Sequence, residues 1–110
     1  MKDITEKDVF RALTYLAETD QEYAHAKAGV EASKHKAKTV YCMEYMAIKE
    51  GTVKDREAYA QVSQAYQDAH HEYTDAIYGY ELLATRRKRA ELTKEFWQSL
   101  NKARLQGSIV

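Results

Sequence analysis

Apolar residues recur along this chain at three- and four-residue steps, the period of an amphipathic helix, and capping signals interrupt that rhythm at defined places. Thr5-Glu6-Lys7-Asp8 offers a hydroxyl cap with an acid three residues on, followed by Val9, Phe10, Leu13 and Leu16 at helical spacing. Thr19-Asp20-Gln21-Glu22 repeats the signal. The pattern therefore predicts a short first helix at about 5–18, a break near 19, and a second helix at about 20–50. Gly51 is a C-terminal stop, Thr52-Val53-Lys54-Asp55 is the next cap, and a third helix follows at about 53–106 with no comparable stop before Gly107. So short a connection makes the second and third helices antiparallel neighbours. The predicted fold is all-α: a long antiparallel helical hairpin preceded by a short helix, with coiled-coil-like packing, in a single helical domain over 1–110.

Within the third helix, Tyr59, Tyr66, Tyr73 and Tyr80 alternate with Val62, Ala69, Ala76 and Leu83, which is the spacing of a packing seam. The tyrosines are expected to face Tyr23, Val30, Ala37, Tyr41 and Ile48 rather than to stand exposed as stacking platforms. A helix of about 30 residues is roughly 45 Å long, so the second helix covers the third only to about residue 84. Beyond that point the tyrosine column becomes Arg87 and Lys94, while Leu92, Phe96 and Leu100 lie roughly on the opposite side. That change predicts a different partner for the rear half. Val9, Leu13 and Leu16 of the first helix are one candidate and a second subunit the other, with Leu92, Phe96, Trp97 and Leu100 as the helix–helix or oligomer interface. Gly29 and Gly79 each cost about 1 kcal/mol in a helix relative to alanine, which predicts close packing or a bend at those positions.

Composition adds a size limit. The chain has 110 residues, no proline, 45% hydrophobic and 31% charged residues, which suits one small helical domain whose limited core favours self-association. The segment "MKDITEKD" has no apolar core, and "VYCMEYMAI" is interrupted by Glu44 and too short to span a bilayer, so neither targeting nor membrane anchoring is expected. The single cysteine, Cys42, fits a reducing cytoplasm, that of the host cell if the protein is phage-encoded, and reads as a buried structural thiol.

Candidate catalytic chemistry is sparse. Adjacent His70 and His71 point about 100° apart on a helix, and no His-x-x-x-His, Cys-x-x-Cys or Glu-x-x-His spacing closes a metal site. No glycine-rich loop is present to cradle phosphate, and Asp68, Glu72 and Asp75 read as a solvated acidic face. The expectation is a non-enzymatic protein without cofactors.

Charge is more informative than its zero sum suggests. Residues 1–22 carry −3, 23–50 carry +2, 51–84 carry −4 and 85–110 carry +5. Lys27, Lys34 and Lys38 form one strip of the second helix, continued by Tyr41 and Tyr45, while Arg87 and Lys94 extend the seam face and "RRKR" at 86–89 radiates round its helix. Basic strips with neighbouring aromatics are the composition that single-strand binders use for backbone charge plus base stacking. Lys27, Lys34, Lys38, Arg86, Arg87, Arg89 and Lys94 are thus the candidate nucleic-acid contacts. The alternative for the strip is an ordinary wetted edge, and for 86–89 it is pairing with Glu18, Asp20 and Glu22. A protein-interaction module, such as an assembly adaptor, a regulator or an inhibitor of a host protein, is the competing function.

The stretches "YLAETDQEYAHAK", "EGTVKDREAYA" and "YELLATRRKRAELTKEFWQS" make the chain resemble small helical phage recombination-associated proteins over roughly residues 13–104, and more distantly the T4-type recombination mediators of the UvsY kind. The resemblance implies a homo-oligomer that holds single-stranded DNA and helps a recombinase displace a single-strand-binding protein. In the mediators, a basic helix followed by a tyrosine pair and a glycine turn is associated with single-stranded DNA. In this chain Lys34, Lys36 and Lys38 lie further from Gly51, and Met43 and Tyr45 occupy the places closest to the mediators' basic pair.

Overall fold

The computed structural model describes residues 4–109, and every element among them is an α-helix: α1 (Glu6–Ala47), α2 (Val53–Val62) and α3 (Gln64–Ile109). The all-α hairpin architecture is as the periodicity predicts. Two of the three predicted caps, at Thr5 and Thr52, close reciprocally. The Thr5 hydroxyl accepts from the Asp8 N–H at 3.2 Å while the Thr5 N–H donates to the Asp8 carboxylate at 3.0 Å, and Thr52 and Asp55 make the same pair of bonds at 3.1 Å. Gly51 makes the turn with φ 105°, a left-handed conformation that only glycine adopts without strain.

Two boundaries differ from the sequence expectation. There is no break near residue 19, because α1 runs through it as one helix of 42 residues. Thr19 does not cap a helix; its hydroxyl turns back to donate to the Tyr15 carbonyl at 2.7 Å and is buried in the seam. The second difference is an interruption at Ser63, which is extended (φ −62°, ψ 142°) and serves two helices at once. Its hydroxyl donates to the Ala60 carbonyl at 2.9 Å, closing α2, and accepts from the Tyr66 N–H at 3.2 Å, opening α3. From there α3 is continuous for 46 residues, including 84–90.

A three–four alternation of covered positions runs along both long helices. In α1 the covered positions run Val9, Ala12, Leu16, Thr19, Tyr23, Ala26 and on to Val40; in α3 they run Tyr66, Ala69, Tyr73, Ala76, Tyr80, Leu83 and on to Trp97. The Ser63 interruption shifts the phase in α2, so Ala60 is fully buried while Tyr59 (46% exposed) and Val62 (69%) lie outside the seam predicted for them. Gly29 and Gly79 sit within continuous helix, and a Cβ added to either meets no atom within 4 Å, so neither serves the close approach expected of it.

The chain divides into two compact units: residues 1–23 with 82–110, and residues 24–81. In the second, the C-terminal part of α1 lies antiparallel to α2 and the start of α3, with Ser33, Ala37, Ala60 and Ala69 buried between them and Lys36 paired to Glu72 at 2.9 Å. In the first, Val9, Ala12, Thr19, Leu83 and Ala90 are buried where the start of α1 packs on the later part of α3. These cores are built largely from alanine, and no large side chain among the described residues is fully buried. None of the described helices is long and apolar enough to cross a membrane.

Candidate nucleic-acid interface

The residues with most binding potential lie in the 24–81 unit, on one side of its hairpin. Tyr66, His70 and Tyr73 follow each other at four and three residues, so their rings share one face of α3. They form a ladder: Tyr66 to His70 is 5.9 Å between centroids and His70 to Tyr73 is 6.4 Å. Tyr41 of α1 meets Tyr66 edge-to-face at 5.4 Å, which fixes the ladder against the facing helix. Lys34 and Lys38, one turn apart on α1, border an open groove of about 520 Å³ whose other walls include Tyr41, Tyr66, His70 and Tyr73. His70, Lys34 and Lys38 are exposed, whereas the three tyrosines that line the groove are half-buried. Partial desolvation, followed by the negative charge of Glu57, raises the pKa of Tyr41 above its ordinary value of 10.0, so its hydroxyl is a neutral donor near pH 7.

Two of the sequence-derived cations, Lys34 and Lys38, therefore come together with aromatic rings. Lys27 is exposed further along the same strip of α1, seven residues before Lys34 and outside the groove. The aromatic half of the site is less evident in the sequence, where Tyr66 and Tyr73 register as seam residues and His70 as half of a histidine pair. The signal that marks it is the 66/70/73 spacing together with Tyr41 at the end of the lysine strip.

The basic residues of the other unit behave differently. Arg87 does not project into solvent: its side chain is 14% exposed. One guanidinium nitrogen donates to the Leu16 carbonyl at 2.9 Å and the Thr19 hydroxyl at 2.7 Å, the other to the Asp20 carboxylate at 2.6 Å, and the group lies 4.8 Å from the Tyr23 ring centroid. This is the pairing alternative weighed for 86–89, realised at a single arginine, and it withdraws Arg87 from the set of available DNA contacts. Lys94 is half-buried at the corresponding seam position, whereas Arg86 and Arg89 are exposed.

The rear of α3 does not exchange the seam for a new face, as the sequence suggested. Arg87, Ala90, Lys94 and Trp97 continue the same buried line, and the start of α1 packs there rather than on Leu92 and Phe96. Leu13 is 45% exposed, and Leu92 and Phe96 are each 50% exposed on the side away from the seam; Leu100 is half-buried. The proposed interface group thus splits, with Trp97 in the seam and Leu92 and Phe96 outward.

Cys42, one residue past the seam tyrosine Tyr41, is exposed instead of buried. Among the described residues His, Cys, Asp and Glu form no group of three or more placed to hold a metal ion. Comparison with family models, curated proteins and solved structures returns no match.

Proposed function

We propose that this chain is a non-enzymatic recombination accessory of the phage type, a homo-oligomer that holds single-stranded DNA and assists loading of a recombinase against a single-strand-binding protein. The observation that carries the reading is the groove in which Lys34 and Lys38 flank the Tyr41, Tyr66, His70 and Tyr73 rings. Lysine ammonium groups neutralise phosphate, and the exposed imidazole face stacks on bases without reading their sequence. One groove offers only a few phosphate contacts, so several subunits on one strand raise the overall affinity through effective concentration.

Fluorescence anisotropy with labelled oligonucleotides across a salt series tests this. Micromolar binding that prefers single strands and falls steeply with salt is expected. Lys34→Glu with Lys38→Glu should weaken it at least about tenfold and flatten the log–log salt slope by about 1.4, two phosphates at roughly 0.7 each. Indifference to DNA at low salt ends the reading.

The engagement of Arg87 within its own chain favours a second function, because it removes a cation from any DNA surface. In this reading the chain is a protein-interaction module, an adaptor, regulator or inhibitor of a host protein. It is the one left standing if the oligonucleotide titration is flat.

A further inference from the structure

The outer face of α3 in the 82–110 unit carries an organised strip that is largely exposed. Leu82, Thr85, Arg89, Leu92 and Phe96 recur at three and four residues, and at about 100° per residue they lie roughly 100–180° round the helix from the buried seam. Leu82 is 39% exposed and Leu92 and Phe96 are each 50% exposed. Along one flank of the strip the charge alternates at seven-residue intervals through Glu81, Lys88, Glu95 and Lys102. An apolar strip with single-sign flanks suits a partner of opposite charge, but alternating flanks suit a partner carrying the same alternation in reverse.

We infer that this strip is an isologous interface, and that its occupant is a second copy of this chain lying antiparallel about a two-fold axis beside Leu92. Such an axis pairs each position with one whose number sums with it to about 184. Leu92 then meets Leu92 of the second copy, and Thr85 meets Ser99. Arg89 reaches the Phe96 ring, a guanidinium-on-aromatic contact made twice. On the flank, Lys88 of each copy faces Glu95 of the other. A parallel two-fold arrangement would instead set this flank against the other flank of the second copy, where Thr93 and Leu100 offer Lys88 and Glu95 no counter-charge, so the charges select the antiparallel one.

Surface area leaves room for such an interface. The chain exposes 8691 Å², whereas a compact chain of 12.7 kDa exposes about 6,200 Å². The excess of roughly 2,500 Å² exceeds the approximately 800 Å² per partner that a stable interface requires. This inference deepens the self-association in the proposed function and does not depend on the DNA groove, whose lysines lie in the other unit.

Two charge variants test it. Lys88→Glu leaves only carboxylates on the inner flank and Glu95→Lys only ammonium groups, so each should repel its own copies. Light scattering of the wild type at tens of micromolar should give an assembly mass at least twice 12.7 kDa. Each single variant should need at least about tenfold higher concentration to assemble, and an equimolar mixture of the two should recover wild-type assembly, because every flank pair is then opposite in sign. Recovery on mixing also shows that both variants fold. Wild-type assembly by either variant alone, or no recovery on mixing, overturns the assignment of this face while leaving self-association intact. A wild type that stays at 12.7 kDa overturns both, and the oligonucleotide titration with Lys34 and Lys38 variants then judges the groove separately.

Discussion

Arg87 illustrates how one residue changes meaning once its neighbours are known. In sequence it belongs to a run of four cations; in the structure its fork is committed to Leu16, Thr19 and Asp20, with Tyr23 beneath it. Arg87→Ala leaves the largely covered Thr19 hydroxyl and Leu16 carbonyl without that donor and should destabilise the fold by about 2–4 kcal/mol in urea denaturation. Arg87→Lys should recover only part of the loss, since one ammonium cannot reproduce a planar fork bonding at two nitrogens. The glycines divide just as sharply. Gly51 holds φ 105°, and a Cβ there comes within 3.3 Å of Asp55, so Gly51→Ala should cost about 1 kcal/mol or more. Gly79 is helical with open space around it, and Gly79→Ala should stabilise by up to about 1 kcal/mol in the same assay.

At the scale of elements, the joint between α2 and α3 matters most. Ser63 closes one helix and opens the next through a single hydroxyl, and by doing so it sets which residues of α2 meet α1. Ala60 goes in and Tyr59 stays out. Ser63→Ala removes the cap and should lower stability by about 1 kcal/mol, read as a shift in urea midpoint with an unchanged slope. A changed slope would mean instead that α2 and α3 fuse into one helix and the 53–62 segment repacks. The candidate groove depends on this joint, because Tyr66, the first ring of the ladder, receives its position from the first turn of α3.

For the whole molecule the governing quantity is uncovered surface. With alanine-rich seams and no large side chain fully buried among the described residues, intramolecular burial supplies little of the hydrophobic stabilisation that chains of this length ordinarily gain. Under the proposed self-association, folding and association are linked, and the melting temperature should rise by several degrees when protein concentration rises a hundredfold. Scanning calorimetry across that range checks it; a concentration-independent melt would mean that the isolated chain is self-sufficient. Oligonucleotide should raise the melting temperature as well, and more at low salt than at high salt.

Local signals in the sequence were sufficient for everything decided within a few residues. The capping pairs at Thr5 and Thr52, the glycine turn at 51, the three–four period and the lysine strip through Lys34 and Lys38 all involve neighbours one or two turns apart. Tertiary structure decided the rest, since the same local signal admits two outcomes. Thr19 with an acid three residues on is a cap in isolation, yet burial of Leu16, Thr19 and Tyr23 along one seam favours continuous helix over a break. Ser63 has the hydroxyl but Tyr66 rather than an acid three residues on, and it did break the helix. The tyrosine column's successor, Arg87, was legible as charge but not as an internal contact, because its partners lie about 70 residues away in sequence. Leu92 and Phe96 were legible as an apolar pair, but only the packed seam shows that they face outward, where a second chain can reach them.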